Sequence, residues 1–178
     1  AQWGQQAAVA VYCDPRCRDQ ASAGPVVPCG VAGGDRKHGD AHPTLPTRRG
    51  RVLPNVRGIL AALRDRVDAR SYLLTGNTRR GAAAKLSHYG LLDYFADGAF
   101  AEDTGARATI AARGLTLARR AGQVDRAALF VIGDTPHDIE CATAIDAKTI
   151  AVATGGYSID ELRRHQPWRI FSELPPAP

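Results

Sequence analysis

From residue 51 onward, short apolar runs alternate with stretches of helical periodicity. This alternation limits the possible folds more than any other feature of the chain. Val56, Ile59, Leu60 and Leu63 recur at helical spacing behind Pro54 and Asn55. Tyr72–Leu74 reads as a strand, Thr75-Gly76-Asn77 as a tight turn, and residues 79–89 as a helix stopped by Gly90. GAFAEDTGA is loop-like, and residues 107–121 read as a helix. A strand over 127–132, a helix from Pro136 and a strand over 148–153 follow. Ser158 and Glu161 have capping-box spacing for a short helix that Pro167 closes, and residues 169–171 read as an edge strand. Strands separated by helices require crossover connections. The expectation is an α/β fold, a doubly wound parallel sheet with helices on both faces. Residues 7–13, AAVAVYC, would add a central strand.

The N-terminal part does not share this order. Residues 15–50 are rich in Gly and Pro and carry neither period, which reads as an irregular or disordered excursion. The organisation expected is a first core strand over residues 1–14, the irregular segment over 15–50, an α/β core over 51–174 and a tail over 175–178.

Chemistry concentrates where strands end. In VIGDTPHDI, Gly133 permits a sharp turn and Asp134 ends the strand. Thr135 suits a helix N-cap, Pro136 the first helical position, and Asp138 the first turn. Two carboxylates then face one crevice at the carboxyl edge of the sheet, where open α/β sheets bind ligands. Hard oxygen donors there, completed by waters and a phosphate, suit Mg²⁺. The same residues also make a good helix start, with Asp138 capping the helix and complementing its dipole. At the end of the Tyr72 strand, Thr75, Gly76 and Asn77 offer a hydroxyl, backbone N–H groups and an amide to an anion. The alternative is a turn chosen for its backbone angles. Lys85, on the following helix, leans toward that edge or lies in solvent.

LLTGN, a helix carrying Lys-Leu, GDTPHDI and AVATGGYSIDEL follow in that order. Together they resemble the haloacid dehalogenase (HAD)-like hydrolase superfamily, in its phosphatase branch, over about residues 51–174. The resemblance implies a Rossmann-like core; the family's cap, usually inserted between the first motif and the helix after residue 51, is expected to be reduced or absent, with the Gly/Pro-rich residues 15–50 in its place. It implies that Thr75, with Gly76 and Asn77, binds the phosphoryl group and that Lys85 neutralises nucleophile and phosphate. Asp134 and Asp138 would hold Mg²⁺. The family's first motif is Asp-x-Asp-x-Thr after a strand, and VAVYCDPRC is the nearest match. Asp14 then stands as nucleophile and third metal ligand, but Arg16 occupies the position of the second acid. An arginine serves as neither acid nor base at neutral pH.

The activity implied is Mg²⁺-dependent hydrolysis of a small phosphate ester through an aspartyl-phosphate. The alternative is an impaired relative that binds phosphate, metal or a partner without turnover. A third reading places a structural Zn²⁺ among Cys13, Cys17, Cys29, His38 and His42, although no finger-like core surrounds them.

Composition narrows the partners. Net charge is +5, but the arginines are scattered among acids and aromatics make up only 6% of residues. A nucleic-acid surface of interleaved cations and aromatic rings is not expected. No run of about 18 apolar residues occurs, so no membrane span is expected. No signal-peptide pattern is evident and the four cysteines are too unevenly spread for a disulfide framework, so a cytoplasmic location is the default. The residues carry no signature of an oligomeric state.

Overall fold

The computed structural model describes residues 7–13, 51–101, 107–122 and 124–177. Six strands form one sheet in the order β3-β2-β1-β4-β5-β6. They are β1 (Ala7–Cys13), β2 (Ala69–Thr75), β3 (Asp97–Ala99), β4 (Leu129–Gly133), β5 (Lys148–Val152) and β6 (Arg169–Phe171). The helices are α1 (Val56–Asp65), α2 (Arg79–His88), α3 (Arg107–Ala121), α4 (Pro136–Ala144) and α5 (Ile159–Arg163). The α/β class is as expected, and the local reasons can be read in the residues. Thr78 caps α2 by accepting from Gly81 N at 3.1 Å. Gly90, at φ 60°, ends the same helix in the left-handed conformation that suits glycine. The Arg57 guanidinium donates to the carbonyls of Tyr89 and Gly90, tying α1 to that helix end.

Both faces of the sheet are covered, because residues of one strand point alternately to either side. Tyr72 and Leu74 pack with Ile110, Ala111 and Ala118 of α3 and with Cys141 and Ala142 of α4. Leu73, between them in β2, packs on the opposite side with Ala82 of α2 and Phe100. Leu129 and Val131 of β4 are fully buried in the first of these clusters. Each such side chain contributes about 1.5–3 kcal/mol relative to exposure.

Two expectations change. Gly98 and Ala99, read within a loop, belong with Asp97 to the edge strand β3, parallel to β2. DGA carries no apolar alternation, so only its pairing with Tyr72–Leu74 makes it a strand. The larger change concerns β1. It occupies the expected central place but runs antiparallel to both neighbours, pairing Ala7 with Thr75 and Cys13 with Ala69. The other five strands run parallel to one another. An all-apolar segment such as AAVAVYC satisfies either face and either direction, so its pattern does not encode its orientation. The irregular segment 15–50, with Cys17, Cys29, His38 and His42, lies outside the described residues.

Candidate functional site

The carboxyl edge of the parallel strands carries the polar residues singled out above. β2 delivers Thr75, which is 2% exposed. Its Oγ1 accepts from both the backbone N and the side-chain Nδ2 of Asn77, each at 3.2 Å. A threonine hydroxyl that accepts two hydrogen bonds still has its own proton to donate. Gly76 is exposed on the turn between them, and Ala101 N donates to Asn77 O at 3.1 Å, fixing the turn to the end of β3.

Two places along the sheet, β4 delivers the acids. Asp134 follows the strand and is half-buried; Asp138 lies in the first turn of α4 and is buried. Asp138 Oδ2 accepts from Asp134 N at 3.1 Å, Thr135 N at 3.0 Å and Thr135 Oγ1 at 2.8 Å. Asp138 N donates back to Thr135 Oγ1 at 3.3 Å, completing a capping box. The capping alternative for Asp138 is therefore realised, and it holds the carboxylate against the backbone of Asp134. A Cβ at Gly133 would overlap Asp138, so the glycine is required by this approach. Across the crevice, the loop after β5 brings Gly155 against Asp134, where a Cβ would overlap the carboxylate. The α4 N-terminus adds its partial positive charge to the same place.

β1 separates β2 from β4, so Thr75 and Asp134 stand about 10 Å apart across the sheet, two strand spacings.

Not every residue expected at this edge joins the group. Lys85 lies half-buried in the last turn of α2, six residues beyond Arg79, or about 9 Å along the helix axis. The first residues of α2 and α3, Arg79 and Arg107, begin helices that follow β2 and β3. The Arg79 guanidinium pairs with Asp97 at 3.1 Å and stacks over Phe100 at 4.3 Å. Asp14 lies outside the described residues. Cys13, immediately before it, pairs with Ala69 at the opposite edge from Thr75. The expectation that β1 carries a carboxylate into the crevice depended on a parallel strand, and the strand is antiparallel. Among the described residues, no three His, Cys, Asp or Glu side chains cluster as a metal site. No helix of the described residues is long and apolar enough to cross a membrane.

Comparison with known proteins places the fold. The family model described as HAD-hydrolase-like matches residues 93–177. The chain is similar to a protein of Clostridium difficile assigned as a phosphatase, at 21% identity and TM-score 0.62, covering 69% of this chain and 57% of that one. A Clostridium acetobutylicum protein, also assigned as a phosphatase, is similar at 17% identity and TM-score 0.58, with 66% and 54% covered. A haloacid dehalogenase-like family hydrolase of Streptococcus pneumoniae follows at 18% and 0.58, with 68% and 55% covered. At these identities the likeness is one of fold. The chain spans a little over half the length of each, 54–57%. No curated protein matches it.

Proposed function

We propose that the chain is a haloacid dehalogenase-like hydrolase, a magnesium-dependent phosphohydrolase acting on a small phosphate ester; the family-model match over residues 93–177 and the shared fold support this reading. The observation that carries this reading is the placement of Thr75 and of the Asp134–Asp138 pair on one carboxyl edge, two strands apart.

Mg²⁺ takes one or two carboxylates and fills its octahedron with water and phosphate oxygens. Asp134 and Asp138 fit that donor set, and the space beside Asp134 is one that a Cβ at Gly155 would fill. When bound, the ion neutralises charge on the phosphoryl oxygens. The chain's own groups bind and orient. Thr75 Oγ1, held by Asn77, donates its proton to a phosphoryl oxygen, and the Gly76 N–H and the Asn77 amide lie beside it. In the full reaction a carboxylate attacks phosphorus, the ester oxygen leaves, and water then releases phosphate from the acyl phosphate. The motif pattern gives Asp14 as the candidate for that attack, and Asp14 lies outside the described residues.

The direction of β1 favours a second reading, a domain that binds phosphate and Mg²⁺ without turnover. Arg16, at the place of the second acid, points the same way. Hydrolysis of p-nitrophenyl phosphate, measured with Mg²⁺ and again with EDTA, separates the two. Turnover lost with EDTA and abolished in Asp14→Asn supports the hydrolase. A folded protein that binds Mg²⁺ and phosphate but releases no nitrophenol supports the binding domain.

A further inference from the structure

We propose that Tyr157 selects the ester group, its ring forming the surface on which a planar aromatic group attached to the phosphate lies. The favoured ligands are then aryl phosphates and phosphonates over aliphatic ones of equal charge. This rests on the crevice being a phosphate site.

Tyr157 sits on the loop that leaves β5, and that loop is fixed on both sides of it. Ala153 N donates to Phe171 O and Thr154 N to Val152 O, each at 2.9 Å, holding the start of the loop to the sheet. Gly155 then packs against the Asp134 carboxylate. On the far side, Ser158 and Glu161 form a complete capping box for α5. Two residues of chain span at most about 7 Å, so the Tyr157 backbone stays within that distance of the Gly155–Asp134 contact. The phenol ring extends further still.

The ring is also available. Tyr157 is 37% exposed and belongs to none of the three buried clusters of the described residues. Val67 and Trp168, also exposed, enter strands at the opposite edge, whereas Tyr157 leaves one at the crevice. A Cβ at the preceding Gly156 would meet no heavy atom within 4 Å beyond its chain neighbours, so the backbone before Tyr157 borders open space. An aromatic side chain stacks on a planar group with a preference that an alkyl group does not match. A ligand held at Asp134 then has the Tyr157 backbone within about 7 Å of the Gly155–Asp134 contact.

The test is calorimetric titration of phenylphosphonate and methylphosphonate, with Mg²⁺, into wild type, Tyr157→Ala and Tyr157→Phe. These ligands are not hydrolysed, so the result does not depend on turnover. Wild type should bind the phenyl compound about fivefold more tightly. Tyr157→Phe should keep that ratio and Tyr157→Ala should bring it close to one, with methylphosphonate affinity unchanged. Equal affinities in wild type, or a ratio that survives in Tyr157→Ala, would overturn the role of Tyr157 while leaving the phosphate site standing. Failure of both phosphonates and of inorganic phosphate to bind wild type would overturn the phosphate reading and this inference with it.

Discussion

The carboxylate of Asp134 rests against the Cα of Gly155, so closely that the smallest side chain there would overlap it. β4 and β5 are parallel neighbours, and the turns that follow them meet at this contact. Gly155→Ala must displace Asp134 or the loop. It should weaken Mg²⁺ binding by roughly tenfold, the effect of a disturbed shell around a metal ligand. Gly156→Ala meets open space and should bind as wild type does. Equal affinities in the two variants would remove Asp134 from the metal site.

Asp138 contributes to folding whatever it does for a ligand. It is 2% exposed, and three hydrogen bonds converge on its Oδ2. Asp138→Ala leaves those donors buried and should cost about 1–3 kcal/mol, read from the urea midpoint. Thr135→Ala, which breaks the other half of the box, should cost about 1 kcal/mol. A midpoint unmoved in both would mean that the cap does not stabilise α4.

At the other half of the crevice, Thr75→Val keeps the shape of the side chain and removes its oxygen. The two Asn77 donors then lose their acceptor. Inorganic phosphate should bind about ten- to a hundredfold more weakly, because a hydrogen bond to a charged group contributes about 1.5–3 kcal/mol. Phosphate affinity equal to wild type would show that Thr75 serves the turn alone.

The cap of α5 gives a pH signature. The Ser158 hydroxyl, and after it the Ser158 N–H, donate to Glu161 Oε2 at 2.7 and 2.8 Å and hold its carboxyl below the usual glutamate range. A depressed pKa means stabilisation that is present above the ordinary glutamate value and is lost as pH falls through the lowered one. Carbon-detected NMR titration should place Glu161 below the usual range, and Ser158→Ala should move it upward. A Glu161 titration unaffected by that substitution would contradict the assignment.

The direction of β1 can be tested with a cysteine already present. Cys13 faces Ala69 in register. Directly opposed antiparallel residues lie about 4.5–5.5 Å apart, within disulfide range. Ala69→Cys should therefore form a disulfide to Cys13 on mild oxidation, detected by mass spectrometry of a non-reduced digest. Absence of that peptide, with β1 parallel instead, would bring Cys13 to the Thr75 edge and return Asp14 to the crevice.

What the sequence made legible follows from how local each signal is. The α3 bounds, the Thr135 and Ser158 caps and the Gly90 stop are encoded within a few residues, and each stands where its residues indicated. The edge of the sheet that gathers Thr75, Asp134 and Asp138 was legible because Thr75 ends one apolar strand, Asp134 follows another, and Asp138 lies in the first turn of the helix after it. β3 was not, since Asp97-Gly98-Ala99 becomes a strand only through its partner β2. Nor was the direction of β1, because an apolar run pairs equally well either way. The contact of Gly155 with Asp134 joins residues 21 positions apart and has no local pattern at all.

The most direct measurement is titration of Mg²⁺, in the presence of inorganic phosphate, into wild type and Asp134→Asn. One Mg²⁺ should bind wild type, more tightly with phosphate than without it, and Asp134→Asn should lose that site while remaining folded. Undiminished binding in Asp134→Asn, or no binding in wild type, would contradict a metal and phosphate crevice at the carboxyl edge.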